Sequence, residues 1–455
     1  MFSRRILLSL LIILAAGCNS LPFQDGLLET EAPLDSTPAT TPTLAPTLIP
    51  TPPPEITPPG PVTLTVWLPL EFDPNSGTIS ADLLKSRLEE FSLRRPGVRL
   101  DVRLKTVDGT GGLLDTLTAA SVAAPLAMPD LVALPRLLME TAALKGLLHS
   151  LDGMTEALAH PDWYDYALEL SRLQDTTFGL PIAGDALVLV YTPSSIAEPP
   201  KTWEQALDLE SPLLFPAADA QALTTLAFYR SAGGPVQDGQ GRPMLDVDIL
   251  AQLLSFYQTG ELNQVLPYWM SQYETYEQAW DGYLENPQGS NVAWFSRYFS
   301  AHAVPVEINA TSLEEGAPEE GAPIEDFIAA ATLPTPSGEP FTLANGWVLS
   351  LAGSQPSKQA LAMELAEFLT DCTFLAAWTE ASGMLPPRSE ALEGWGEDSA
   401  RDIARQVASS AHIFPSADVL SSLAPPLQQV TLQILKQQGE PLFLAELAAA
   451  QLENP

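Results

Sequence analysis

Two cysteines, Cys18 and Cys372, in 455 residues leave no material for a disulfide framework or for a cysteine-held zinc site. Positive charge is scarce too: 21 Lys and Arg stand against 56 Asp and Glu, a formal net charge of −35. A chain of that sign repels phosphate backbones, which excludes a sequence-independent nucleic-acid binder. Histidine is rarer still. His149, His160, His302 and His412 are scattered, with no H-E-x-x-H and no i, i+4 pair, so a zinc hydrolase has no ligand set. No Ser stands in a G-x-S-x-G turn, and VDGTGG at 107–112 lacks the Lys and Ser/Thr of a phosphate loop, so it reads as a turn. Neither a cofactor nor a metal is expected.

What is present divides the chain. Arg4 and Arg5 precede an apolar run at 6–16, and small residues lead into Cys18. That is an export signal, too short to span a bilayer. Its last residues, LAAGC, resemble a bacterial lipoprotein box, with Ala15 where Leu is usual; the resemblance implies cleavage before Cys18 and a diacylglyceryl group on its thiol. From 19 to 61 Pro and Thr alternate with no hydrophobic period, so the segment is read as a disordered tether. Fully extended as polyproline II it reaches on the order of 130 Å. The rest, 62–455, carries the core and is too long for one, so two lobes are expected.

The folded part alternates strand and helix. VTLTVWLP is β-branched and aromatic, Leu84, Leu88 and Phe91 share a helical face after Ser80 as cap, and Val98, Leu100, Val102 and Leu104 alternate with charged residues. PDLVAL and FGLPIAGDALVLVY read as further strands, the latter interrupted by Gly184 and Asp185. Thr202 and Asp246 are candidate helix caps, and Gly233 and Gly234 close a helix over 220–231. This grammar predicts an α/β fold with a largely parallel, helix-covered sheet, which binds ligands beyond the carboxyl ends of its strands. No catalytic constellation stands out, so a binding protein is favoured over an enzyme. A glycan hydrolase using paired carboxylates and a binder of a non-sugar solute such as a polyamine are the alternatives.

VTLTVWLP, PDLVALP, FGLPIAGDALVLVY, PPKTWEQAL, YRSAGGPVQDGQG, TLPTPSGEPFTLANGWVLSL, AMELAEFLTD and ASGMLPPRSEAL, in that order, resemble the bacterial family 1 extracellular solute-binding proteins. The resemblance implies a two-lobed periplasmic-binding-protein-like fold with three hinge crossings and a sugar cleft. It also implies a non-enzymatic, extracytoplasmic, monomeric carrier that hands its carbohydrate to an ABC permease. Crossings are then expected near Ala183, near Leu333 and just after Met384. The first lobe becomes 62–183 plus 334–385, and the second 184–333 plus 386–455.

By position, the resemblance implies that Glu71 and Asp185 bond sugar hydroxyls, that Trp347 faces the cleft and that Arg388 follows the third crossing beside it. Where a relative stacks a Trp on the sugar, this chain has Leu134, Pro135 and Arg136, so Arg136 enters the candidate set and maltose itself is in doubt. Aromatic residues crowd between Phe256 and Phe299. Rings suit the C–H faces of a pyranose, and Trp294 and Tyr298 are taken as candidates, whereas Tyr276, Trp280 and Tyr283 recur at helical spacing and read as packing. The repeat EEGAPEEGAP at 314–323 reads as a solvated loop, the sequon at Asn309 carries no weight in a bacterial lipoprotein, and Cys372 reads as a small buried hydrophobe.

Replacing Cys18 by Ser is expected to release the protein from the membrane fraction into the soluble one. Unchanged partitioning into detergent would refute the anchor.

Overall fold

Strand β1, Val62–Pro69, is the VTLTVWLP segment, whose branched and aromatic side chains pack well on a pleated surface. It is the first strand of a computed structural model that describes residues 61–303 and 328–453. The export signal, Cys18, the tether, Asn309 and the 314–323 repeat lie outside the described residues. Helix α1, Ile79–Arg94, buries Ala81, Leu84, Leu88 and Phe91. Its cap is Thr78, whose hydroxyl accepts the Ala81 N–H at 3.2 Å; Ser80, the expected cap, lies inside the helix. The extended backbone at Thr78 explains the difference, because a capping residue must still be outside helical geometry. Strand β2, Val98–Lys105, returns parallel to β1 along its full length.

The next units repeat the pattern: α2, Leu113–Ala123; β3, Leu131–Pro135, also parallel to β1; and α3, Arg136–Leu144. After α4, Asp165–Leu170, and a small hairpin of β4, Arg172–Leu173, with β5, Thr176–Thr177, comes the long β6, Leu180–Tyr191. Helix α5, Trp203–Leu207, starts at Thr202, where Gln205 completes a capping box, and Asp246 caps α7, Val247–Leu262, as expected. Between them lie β7, Leu213–Leu214, and α6, Leu223–Ser231. Helix α8, Tyr276–Glu285, precedes β8, Ser290–Trp294, which runs directly into α9, Phe295–Ala303. Strands β9, Ala329–Ala331, and β10, Thr342–Leu351, are followed by α10, Pro356–Leu369, and α11, Cys372–Ser382. The chain closes with α12, Ser389–Glu393; α13, Ser399–Ser410; β11, Ala411–Ile413; α14, Ala417–Leu435; and α15, Pro441–Glu453. Among the described residues no helix is long and apolar enough to cross a membrane.

The main sheet runs β2-β1-β3-β10-β6-β8-β7, with β11 beside β10 and β9 beside β6. The expectation of a largely parallel sheet needs correction at its centre. β10 is antiparallel to both β3 and β6, and β6 is antiparallel to β8 and β9. The reason is connectivity: β6 carries the chain out of the first half of the sheet and β10 brings it back, so the two must oppose. One apolar cluster, with Leu64, Leu88, Leu365 and Trp378, fills the face under α1, α10 and α11. The larger one joins Val132 and Leu134 to Leu187, Phe215, Phe228 and Leu254.

Three chain segments meet side by side where these halves join. Gly346 of β10 stands opposite Gly184 of β6, and on the other side Gly184 and Leu385 exchange both backbone hydrogen bonds at 2.8 Å. Farther back in the chain, Thr335 is bonded to Lys201 and Trp203 through the backbone, and Pro334 accepts from the Trp203 indole at 3.1 Å. That segment stays with α5, and the chain reaches the junction only at Gly346.

A methyl group on Gly346 would stand 2.5 Å from the Ala183 carbonyl oxygen, and one on Gly184 would stand 2.5 Å from the Tyr166 hydroxyl. Gly346→Ala and Gly184→Ala are each expected to cost about 1–3 kcal/mol by overpacking, with the Gly346 change the worse because backbone yields least. Denaturant titration checks this; unfolding midpoints matching the wild type would show that the junction has room.

Candidate functional site

The first residues of a helix leave backbone N–H groups without intrahelical partners. Because α9 begins at the residue after β8, no connecting loop supplies a cap, and the partner comes from β6. The pairing of Leu187 with Trp294 places Asp185 at the start of α9. Its Oδ1 accepts the N–H groups of Ser296 at 3.1 Å and of Ala186 at 2.9 Å, and its Oδ2 accepts the Ser296 hydroxyl. The Phe295 backbone contributes as well. Burial pushes this carboxyl up to about 6, with the bonds from Ser296 and the neighbouring backbone pulling the other way.

Asp185 borders a cavity of about 370 Å³ at the Gly184–Gly346 junction, within the roughly 300–1,000 Å³ range of small-molecule sites. Trp294 from the end of β8 and Trp347 from β10 line it, both half-buried. Each indole is braced by other rings: Trp347 by Phe72 at 5.0 Å between centroids, Trp294 by Tyr276 at 5.6 Å and Phe414 at 6.1 Å. Polar groups complete the lining: Asn345, opposite Asp185 in the sheet, the Glu277–Arg297 ion pair at 3.3 Å, and Ser300. A second, smaller cavity shares Trp294 and Asn345 with it. Rigid aromatic surfaces beside hydrogen-bonding edges can hold a flat polar molecule by stacking and by hydroxyl contacts.

The other expected site residues lie elsewhere or are otherwise engaged. Glu71 is exposed on the single turn Leu70–Phe72 and does not line the cavity. Arg136 is buried at the start of α3, in an ion pair with Glu140 at 2.6 Å and bonded to the carbonyls of Leu170 and Arg172. Burial lowers the arginine and raises Glu140 against their mutual attraction. Its charge is spent inside the fold, and only a side of the residue borders the smaller cavity. Tyr298 is 1% exposed and packs between Phe295 and His302; helical spacing within α9 turns it to the core while Arg297 and Ser300 face the cavity. Arg388 forms a two-pronged pair with Asp162, at 2.7 and 3.0 Å, donates to the Thr370 carbonyl at 3.1 Å and lies over the Trp163 ring. It is a clamp close to Leu385 and does not line the cavity.

Asp162 explains a further correction. Cys372 is half-buried rather than enclosed among apolar groups, and its thiol donates to Asp162 Oδ2 at 3.4 Å. Burial pushes that thiol up to about 12, the Asp162 contact adding to it, so it stays protonated and unreactive. Burial alone would raise Asp162, but the Arg388 guanidinium overrides it and holds the carboxyl low. Asn345, Glu277, Arg297, Ser300 and Met384 were missed as cavity residues. Only the ANGW string beside Trp347 gave a signal, because the rest come together through strand register.

Strands that pass through one junction from both halves of a sheet, with a cavity at that junction, are the architecture of a two-lobed binding protein. The family model for bacterial extracellular solute-binding proteins matches residues 96–407, and the chain belongs to that family. Solved structures agree in fold. The sugar-binding protein MalE from Xanthomonas citri is 15% identical with a TM-score of 0.68, covering 86% of this chain and 98% of its own. A cyclic alpha-maltosyl-1,6-maltose binding protein from Arthrobacter globiformis is 19% identical with a TM-score of 0.66, covering 87% and 100%. A solute-binding protein from Thermotoga lettingae, bound with alpha-D-tagatose, is 20% identical with a TM-score of 0.61, covering 86% and 98%. No curated protein matches the chain in sequence.

Because Asp185 is raised from its ordinary 3.8 to about 6 in the folded protein, its stabilising contribution is fully present below about pH 4 and is lost as pH rises through about 6. Asp185→Asn, which cannot ionise, is therefore expected to gain stability relative to the wild type from pH 4 to pH 7. Thermal melts of both proteins across that range check this, and parallel curves would contradict it.

Proposed function

We propose that the protein captures a neutral saccharide in the cavity between Trp294 and Trp347 and delivers it to an ABC permease. The observation that carries this reading is the pair of half-buried indoles on one cavity, each braced by other rings, with amide, hydroxyl and charged groups between them. A pyranose presents an apolar C–H face and a hydroxyl rim, which matches that arrangement. Relatives of the same fold that hold maltose, cyclic maltosyl-maltose and tagatose support it.

In this reading the backbones at Gly184, Gly346 and Leu385 are the hinge. The first lobe is 62–183 with 347–384, and the second is 185–345 with 386–455. A ligand that touches both walls favours the closed state by its differential contacts. The family is extracytoplasmic, and lipidation at Cys18 would keep the carrier beside its permease, with the tether giving it reach.

Titration calorimetry against maltose, maltotriose, mannotriose and tagatose tests the reading. Trp294→Ala and Trp347→Ala are each expected to weaken the cognate sugar by about 1–3 kcal/mol, the sum of lost ring burial and stacking, with the melting temperature nearly unchanged. Small-angle scattering should show compaction on binding. Affinity indifferent to both tryptophans would move the ligand out of this cavity.

A further inference from the structure

Arg136 keeps one donor that the fold does not use. Its Nη1 donates to the carbonyls of Leu170 and Arg172, and its Nη2 pairs with Glu140 at 2.6 Å, but its Nε is buried with no hydrogen-bond partner among the described residues. A buried donor left unpaired is costly, so its surroundings call for an acceptor. Those surroundings are the smaller cavity, about 70 Å³, which shares Trp294 and Asn345 with the larger one. That volume is far below the roughly 300 Å³ at which small-molecule sites begin, yet several times the roughly 10–15 Å³ that one water needs. It admits a substituent of a few atoms but no sugar ring.

The lining says what kind of substituent. Leu137, Leu223, Ala344, Phe414 and Leu420 make most of the wall apolar. Asn345 Oδ1 already accepts the Gly346 N–H at 2.8 Å, which leaves its amide nitrogen to donate. Gln221, exposed at the end of the turn before α6, adds a second amide. The chamber therefore combines two inner donors, an amide that can accept, and room for a small apolar group.

We propose that this chamber receives the acetamido group of a sugar whose ring lies against Trp294 in the larger cavity, so that the cargo is an N-acetylhexosamine or an oligosaccharide carrying one. The inference rests on the carbohydrate reading above and narrows its ligand class. An acetamido group brings a carbonyl oxygen for Arg136 Nε and the Asn345 amide, an N–H for the Gln221 amide oxygen, and a methyl for the leucines and Phe414. Competing substituents match less of the wall. A hydroxyl has no apolar end, so the side chains around it lose their dispersion partners. A carboxylate would bring a second negative charge to an arginine already neutralised by Glu140, and a free amino group would set a cation beside that buried guanidinium.

Titration calorimetry on the whole protein with matched pairs tests this: N-acetylglucosamine against glucose, N-acetylgalactosamine against galactose, and diacetylchitobiose against cellobiose. At least one acetylated sugar is expected to bind tenfold or more tighter than its parent. Leu223→Phe and Leu420→Phe fill the chamber from α6 and from α14, and each is expected to bring the acetylated sugar down to its parent's affinity, with thermal melts reporting that the variant is folded. Gln221→Ala, at an exposed position, should weaken the acetylated sugar at least threefold. Parent sugars that bind as tightly as their acetylated partners, an acetyl preference that survives in a folded chamber-filling variant, or one undiminished in Gln221→Ala would each overturn the proposal and leave the carbohydrate reading standing. No binding of any saccharide, maltotriose and mannotriose included, would overturn both.

Discussion

The structure depends on three backbones lying abreast at Gly184, Gly346 and Leu385. Two of the three residues have no side chain, which lets β6 and β10 approach as an opposed glycine pair while Tyr166 packs over one face. Everything else about the centre of the molecule follows. The long strands can run from one half of the sheet into the other, their opposed directions make the sheet mixed, and a cavity opens where side chains are missing from the strand surface.

Charge near this junction is almost entirely committed to holding it together. Arg388 and Asp162 tie the segment after Leu385 to the one before α4, Arg136 and Glu140 are paired at the root of α3, and Asp185 holds the start of α9. Desolvation makes an unpaired charge costly in such places, so each has acquired a fixed partner. What remains for a ligand is a set of aromatic faces, an asparagine, hydroxyls and one ion pair at the cavity rim. A chain carrying a net charge of −35 therefore presents a cavity whose character is set by tryptophan rather than by its acids.

Much of the local structure was legible. The first strands, the inward faces of α1 and α7, and the caps at Thr202 and Asp246 follow from period and from side chains that can accept an orphan N–H. The candidate site was legible in part. Trp294, Trp347 and Asp185 are at the cavity, yet Tyr298, four residues beyond Trp294, faces the core, Arg136 is paired with Glu140 one helical turn on, and Arg388 is bound to Asp162 far away in sequence. Sequence neighbours on a short helix point in different directions, and their spacing gives no absolute phase until the helix is packed.

The sequence by itself determined the family, the alternation of strand and helix, the acidic character and the Pro-rich beginning, because each of these is written in local composition or in motif order. Tertiary structure alone decided that the sheet is mixed, that Gly346 lies opposite Gly184, and that Asp185 faces the start of α9 instead of standing free in the cavity. These depend on which strands lie beside which, and on register between segments more than a hundred residues apart. A one-residue slip in that register would turn every side chain to the other face.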